Sequence, residues 1–368
     1  MSIADAINNA RQKINNVYNA LGAKGATLPG TMNLDHMVTT VEAIPEFHQT
    51  ASLMNGWNAT INESGFILAG PSDTSELNNI SVIVPDVSNI SGVYLKEDLF
   101  NSSSGTYRLL ETASLSNIPF VNNSMVNTFR NCGDLVSVVG INSNIVNMAY
   151  AFSSCSYFNQ NIQIPNSVTN MAYTFSGCSY FNQNIQIPSS VTNMANTFQA
   201  CYNFNQPIQI PNSVTSMVNT FSHCEKFNQP IQIPNSVTNM YGTFIECRGL
   251  NQPIQIPNSV VDMRNTFEKC THLNCDISIG SSVVDMSSAF DWCAGLRGKN
   301  ITIFSPEVAN LTRTFDAFGT ASVYIPFNYS NNVRTTTFNS FVSAGFLYAN
   351  GVSNNTTVVV KDLATLNT

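Results

Sequence analysis

The stretch IQIPNSVTNMAYTFSGCSYF, residues 162–181, sets apolar Ile162, Ile164, Val168 and Met171 at alternate or nearly alternate positions among polar residues. That is the pattern of short strands with one buried face. Pro165 and Asn166 mark a corner, because proline lacks the backbone donor that a continuing ladder needs. A second corner falls among the small, polar residues between Phe175 and Phe181. The pattern then restarts: FNQNIQIPSSVTNMANTFQACYN, residues 181–203, nearly copies residues 158–180. A unit of 23 residues is too short to enclose its own core, so it depends on its neighbours for burial.

The register holds over most of the chain. Cys132, Cys155, Cys178, Cys201, Cys224, Cys247, Cys270 and Cys293 are 23 residues apart, as are the methionines from Met125 to Met286 and the phenylalanines from Phe129 to Phe290. Divergent copies flank this block. In VSNISGVYLKEDLFN, residues 87–101, Ile90 stands for Met, Tyr94 for the first Phe, Glu97 for Cys and Phe100-Asn101 for the later Phe-Asn pair. Downstream, Leu311 with Phe315 and Arg334 with Phe338 continue the frame, with Phe318 or Phe341 at the cysteine place. The expectation is about eleven coils of a β-rich solenoid between residues 82 and 350, pairing in parallel at roughly 4.8 Å. Met, Phe, Ile and Val then form apolar columns, with Cys among them as a small hydrophobe in reduced form. Asn159, Asn182, Asn205, Asn228, Asn251 and Asn274 form a polar column at a fixed corner, where amides can satisfy turn backbone groups.

Residues 1–46 follow another rule. Ile3, Ile7, Ala10, Ile14, Val17 and Leu21 step by fours and threes, a heptad seam on a helix ending near Gly22. A second helix follows, capped by Asn33, with Leu34, Met37, Val38, Val41 and Ile44 on one side, and stopped by Pro45. This predicts a small helical module, either docked on the solenoid as a cap or used for anchoring and oligomerisation through Ile3, Ile7, Ile14, Val17 and Leu21. Residues 47–81 then serve as connector and N-terminal cap, and residues 351–368 as a C-terminal cap strand and tail.

Composition narrows the function. Only 10% of the chain is charged, against about a quarter in ordinary domains, and polarity is carried by Asn, Ser, Thr and Gln. The net charge of -7 and the lack of a basic stripe argue against nucleic acid. The N-terminus has no apolar signal-peptide core, and no run of about 18 apolar residues is present to insert in a membrane. The expectation is synthesis in a cytoplasm without export signal.

No catalytic residue, cofactor or metal site is expected. His36, His48, His223 and His272 lie in unrelated frames, and HExxH, CxxC, GxSxG and phosphate-loop motifs are missing. Asp262 and Asp285 replace the usual Asn one period apart and read as turn residues beside Arg264, with calcium binding the alternative. The copies differ mainly at the two places after the first Phe and the two after Cys. Solvent exposure alone accounts for such variation, yet the residues found there suit a binding ridge: Tyr157, Tyr180, Tyr202, His223, Lys226, Arg248, Lys269, His272 and Trp292.

The word IPNSVTNMAYTFSGCSYF resembles the BspA-type leucine-rich repeat, and the FNQ and VTNM words are similar to related bacterial surface repeats. The chain departs from that family in having Met and a variable residue after SVT, where the family has Ile-Gly. The resemblance covers roughly residues 82–345 and implies a leucine-rich-repeat-like solenoid used for binding and adhesion. The two helices and the loop of residues 1–46 resemble the small N-terminal module of tail-associated proteins of phages and prophages of Gram-positive bacteria. Together these imply a virion tail or baseplate protein. Its module would hold other tail subunits or further copies of itself, while the solenoid meets a host-surface glycan or protein. A structural decoration or bridging protein of the virion, and a bacterial surface adhesin, are the alternatives.

Overall fold

The computed structural model describes residues 58–62, 65–69, 80–83, 93–103, 110–115, 117–297, 299–305, 308, 313–314, 321–325 and 358–362. The helical module expected for residues 1–46, and the repeat expected around Arg334 and Phe338, lie outside them. The chain divides into two units, Met1–Gln160 and Asn161–Thr368.

In the first unit, β1 (Asn58–Asn62) and β2 (Gly65–Ala69) form a hairpin, and β4 (Val93–Leu95) joins β2 in parallel. A second sheet has the order β3 (Ile80–Ile83), β5 (Leu110–Ser114), β6 (Ser137–Val139), all parallel. In the second unit β7 (Ile277–Ile279), β8 (Asn300–Ile303), β9 (Ala321–Ile325) and β10 (Val358–Asp362) form a parallel sheet in chain order. Parallel pairing of successive coils is what a solenoid requires. Among the described residues the helical elements are two short 3-10 turns, Val121–Asn123 and Ala294–Leu296.

The most regular repeats, however, are not strands. Ile208, Gln209 and Ile210 alternate buried, exposed, buried, as expected, yet residues 204–212 carry no strand. Proline follows this place in every regular coil, at 165, 188, 211, 234 and 257, and precedes it as well at 207, 230 and 253, so the ladder loses donors beside each Ile-Gln-Ile. Where the prolines are gone, in DISIG, the same place becomes β7. Pairing between regular coils is reduced to single parallel bridges one period apart, such as Asn170 with Asn193 and Asn239 with Asp262.

A staircase of turns does the work of a ladder. The N–H groups of Met171, Tyr173, Phe175 and Gly177 donate to the carbonyls of Asn193, Ala195, Thr197 and Gln199 in the next coil, at 2.7–2.9 Å. The intervening N–H groups of Thr174, Ser176 and Cys178 close turns onto Met171, Tyr173 and Phe175. Backbone donors thus serve the neighbouring coil and their own coil alternately, so little is left unsatisfied. The turns closed by Thr174 and Cys178 have a positive φ at their third residue, a place where glycine and asparagine are favoured. Each coil supplies two: Tyr173 and Gly177, Asn196 and Ala200, Asn219 and His223, Gly242 and Glu246, Asn265 and Lys269, Ser288 and Trp292.

Side chains then stack by type. In the second unit Phe175, Phe198, Phe221, Phe244, Phe267 and Phe290 form a fully buried column with ring centroids 5.4–5.8 Å apart. Phe181, Phe204 and Phe227 form a second column against it, continued by Leu250 and Leu273. The asparagine column is present too: the Asn182, Asn205, Asn228 and Asn251 carbonyls each accept the backbone N–H of the next asparagine at 2.8–2.9 Å.

One column differs from its sequence reading, and another was not foreseen. The cysteines are more than small hydrophobes: Cys201, Cys224, Cys247, Cys270 and Cys293 donate their thiols to the carbonyl of the preceding coil's Phe at 2.8–3.1 Å. Beside them, Thr197, Thr243 and Thr266 are fully buried, each hydroxyl bridging the Met carbonyls of its own coil and the one before. Thr314 takes the same place, bonded to Met286, after a two-residue insertion.

The first unit corrects one alignment. Phe100 stacks on Phe129 at 5.4 Å and accepts the Cys132 thiol, as Phe129 accepts that of Cys155. It therefore fills the first phenylalanine's place, 29 residues before Phe129, and not the later one. Extra residues shift the frame; they include the Val121–Asn123 turn, where Asn122 and Asn123 are left-handed.

Candidate binding surface

The residues expected to form a ridge follow from the turn staircase. Its second left-handed residue, just before each cysteine, is Gly177, Ala200, His223, Glu246, Lys269 and Trp292 in successive coils of the second unit. The backbone ties these together in sequence: His223 N–H reaches Ile245 O, Glu246 N–H reaches Glu268 O and Lys269 N–H reaches Asp291 O. The residues after each cysteine, Tyr180, Tyr202, Lys226, Arg248 and His272, are exposed. Tyr180 and Tyr202 are 52% and 43% exposed and Trp292 is 53%, which is far from a core aromatic.

The charged members are joined through a residue that the sequence reading did not single out. Glu246 is largely covered and takes Lys269 Nζ at 2.9 Å, Arg248 Nη2 at 2.7 Å and His223 Nδ1 at 3.6 Å. The Lys269 ammonium above all, then Arg248 and His223, hold its carboxyl below the usual range against a desolvation that works the other way. The bond to Glu246 likewise raises Lys269 above its ordinary value. His272 sets Nδ1 2.7 Å from the Arg248 carbonyl, which requires the proton on Nδ1. Lys226 donates to Asn203 Oδ1 at 2.6 Å. Such exposed pairs are worth about 0–1 kcal/mol each, so the network orients side chains more than it stabilises the fold. The signal for Glu246 was its position, one period from His223 and from Lys269.

Asp262 and Asp285 are turn residues. Asp262 accepts the Arg264 backbone N–H and its guanidinium at 2.7–3.0 Å, and Asp285 accepts the N–H and hydroxyl of Ser287. Among the described residues, no group of three or more His, Cys, Asp or Glu is placed to hold a metal ion.

Tyr157 belongs to the first unit, and there the structure brings it together with residues that sequence reasoning missed. It is 53% exposed and lines a groove of about 410 Å³ with Ser102, Asn131, Asp134, Ser154 and Ser156.

The family described as "Mycoplasma protein of unknown function, DUF285" matches residues 123–232, 187–278, 211–304 and 255–343, together more than half of the chain. No curated protein matches it. Among solved structures, a leucine-rich repeat protein from Bacteroides ovatus is similar with a TM-score of 0.58 at 18% identity, covering 83% of this chain and 74% of that one. That likeness shows the fold, the repeat solenoid expected from the sequence. A leucine-rich repeat protein of T. pallidum aligns with a TM-score of 0.24 and 12% identity, over 80% of this chain and 95% of its own.

Proposed function

The chain belongs to the DUF285 family, and we propose that it is a non-enzymatic adhesion protein whose solenoid presents a side-chain ridge to a cell-surface receptor. One observation carries this reading. At the first left-handed place of the turn staircase the chain writes what the backbone favours in five coils, Asn127, Asn196, Asn219, Asn265 and Gly242, with Tyr150, Tyr173, Ser288 and Arg313 in the others. At the second, after Asn131, Ser154 and Gly177, it writes Ala200, His223, Glu246, Lys269 and Trp292, these five held at φ between 54° and 60°. A left-handed conformation costs such residues about 1–2 kcal/mol each, while Gly177 shows that glycine fits the same place. The fold does not ask for these side chains, so their choice points to contacts outside it. Aromatic and arginine side chains are the ones that dominate interfaces.

A finer reading rests on the sequence of residues 1–46 alone. The chain would be carried on a phage virion, anchored by the Ile3, Ile7, Ile14, Val17 and Leu21 seam, and made in the host cytoplasm. Immunogold labelling of purified particles tests that step. The adhesion reading is tested by incubating the full chain with intact Gram-positive cells and measuring the bound fraction. Binding is expected for the native chain and lost when Trp292→Gly, Tyr180→Ala and Arg248→Ala are combined. Trp292→Gly alone is expected to leave stability unchanged or raise it by up to about 1 kcal/mol, since it relieves the left-handed strain. Equal binding by the triple variant would reduce the ridge to solvated surface.

A further inference from the structure

The groove in the first unit is built from three coils. Ser102 and Ser103 come from one, Asn131, Gly133 and Asp134 from the next, and Ser154, Ser156 and Tyr157 from the third. Asp134 and Tyr157 hold the same repeat place, two residues after Cys132 and Cys155. The place between cysteine and that residue is filled by Gly133, which has no side chain, and by the small Ser156, so a hollow is left where longer residues would close it. We propose that this groove is a subsite for an uncharged saccharide. The proposal rests on the adhesion reading and names the ligand class of one part of that surface.

The chemistry of the lining selects the ligand. Tyr157 offers an aromatic face to the apolar C–H face of a sugar ring and a hydroxyl to its rim. Its backbone is fixed by a 3.1 Å bond from its N–H to the Gly133 carbonyl. The Asp134 carboxylate only accepts hydrogen bonds, so it calls for a partner rich in O–H donors. Asn131 is locked by its left-handed backbone, by N–H donation to Ser153 O at 2.8 Å and by Nδ2 donation to Ser103 Oγ at 3.1 Å. Ser154 and Ser156 add hydroxyls that can donate or accept.

Charge excludes the alternatives. Among the described residues Asp134 is the one charged residue lining the groove and no Lys or Arg lines it, so phosphate, sulfate or carboxylate groups would meet repulsion there without compensation. Arg130, next in sequence, lies over the Tyr150 ring at 5.0 Å and is bonded to Asn127. An apolar ligand would strand the polar lining without partners. The volume falls within the roughly 300–1,000 Å³ of small-molecule sites, and is small for a folded protein partner.

The test uses the full chain and saturation-transfer NMR with a panel of free neutral di- and trisaccharides built on glucose, galactose and N-acetylglucosamine, alongside sialylated and sulfated counterparts. A neutral member should show saturation of its ring protons. Tyr157→Ala should abolish that signal, Tyr157→Phe should largely keep it, and Asp134→Asn should weaken binding about tenfold. Tyr157 is half exposed, so an unchanged circular dichroism spectrum is expected of the alanine variant. The proposal is overturned if no neutral member binds, if Tyr157→Ala binds as well as the native chain, or if the acidic counterparts bind at least as tightly. Failure here with adhesion to cells retained would remove this subsite and leave the ridge standing.

Discussion

Phe221→Ala probes the architecture most directly. Phe221 is fully buried, and four rings surround it: Phe198 at 5.6 Å, Phe204 at 6.3 Å, Phe227 at 5.0 Å and Phe244 at 5.7 Å. Losing the burial of a phenylalanine costs about 1.5–3 kcal/mol, and the cavity left in a column that cannot collapse brings the usual total to about 3–5 kcal/mol. Ring pairs add about 0.5–1.5 kcal/mol each beyond their buried area, without full additivity, which places this site at the upper end, about 4–5 kcal/mol. Urea unfolding followed by circular dichroism gives the total. Hydrogen exchange read by mass spectrometry gives its distribution, and that is the sharper measurement. In a stack where each coil touches only its neighbours, protection should fall in residues 194–250 and persist near 277–303. A loss below about 2 kcal/mol, or protection lost evenly through the second unit, would refute this account.

Three further outcomes follow from the columns and the charged network. Burial pushes the thiols of Cys132, Cys201, Cys224, Cys247, Cys270 and Cys293 well up, whereas Cys275 is half buried, so a thiol reagent should label Cys275 first in the native chain and all nine cysteines after unfolding. Bridges between successive repeats would refute it. Thr197→Val keeps the volume but removes the hydroxyl that now sits 2.9 and 2.8 Å from the carbonyls of Met171 and Met194, which retain the N–H groups of Thr174 and Thr197, and should cost about 0.5–1.5 kcal/mol by urea unfolding. Glu246 has a carboxyl pKa lowered in the fold, so its contribution is present above the unfolded-state value near 4.3 and is lost as pH falls through the folded value. Melting temperature should therefore decline on acidification below about pH 5 with a smaller slope in Glu246→Gln, and identical slopes would exclude Glu246 as the hub.

What could be read beforehand depended on what repetition makes visible. The 23-residue register, the buried Met, Phe and Ile places and the asparagine column were legible because each is an unchanged residue at an unchanged step. The staircase was not, since a backbone alternating its donors between two coils leaves no hydrophobic period, only scattered Asn and Gly at places such as Asn196, Asn219 and Gly242. Cys201 was read as a small hydrophobe because sequence gives its size but not the carbonyl above it, and the Thr197 column was not singled out at all. Phe100 was misplaced because six extra residues separate it from Phe129, and a frame without its period cannot be counted. Of the surface, Tyr180, Tyr202 and Trp292 were legible from variation among copies. Asn131 and Asp134 fall at the same variable places after Phe129 and Cys132, but the hollow left beside them by Gly133 and Ser156 is visible only once the coils are stacked.

The same alternation explains how the chain can vary its surface so freely. In a globular core a new side chain must fit several elements at once, whereas here a residue such as Lys269 is fixed by its own turn and by Asp291 O in the next coil through the backbone alone. Its side chain reaches the surface network of Glu246, and the chain can write Gly177, Ala200, His223, Glu246, Lys269 and Trp292 at one geometric place without rebuilding the interior. The costs are local, about 1–2 kcal/mol of left-handed strain where the residue is not glycine, against a column of buried rings that holds each coil by several times that amount. A fold with this ratio can change its exposed ridge one coil at a time, and selection on binding can act there without first passing through loss of the solenoid.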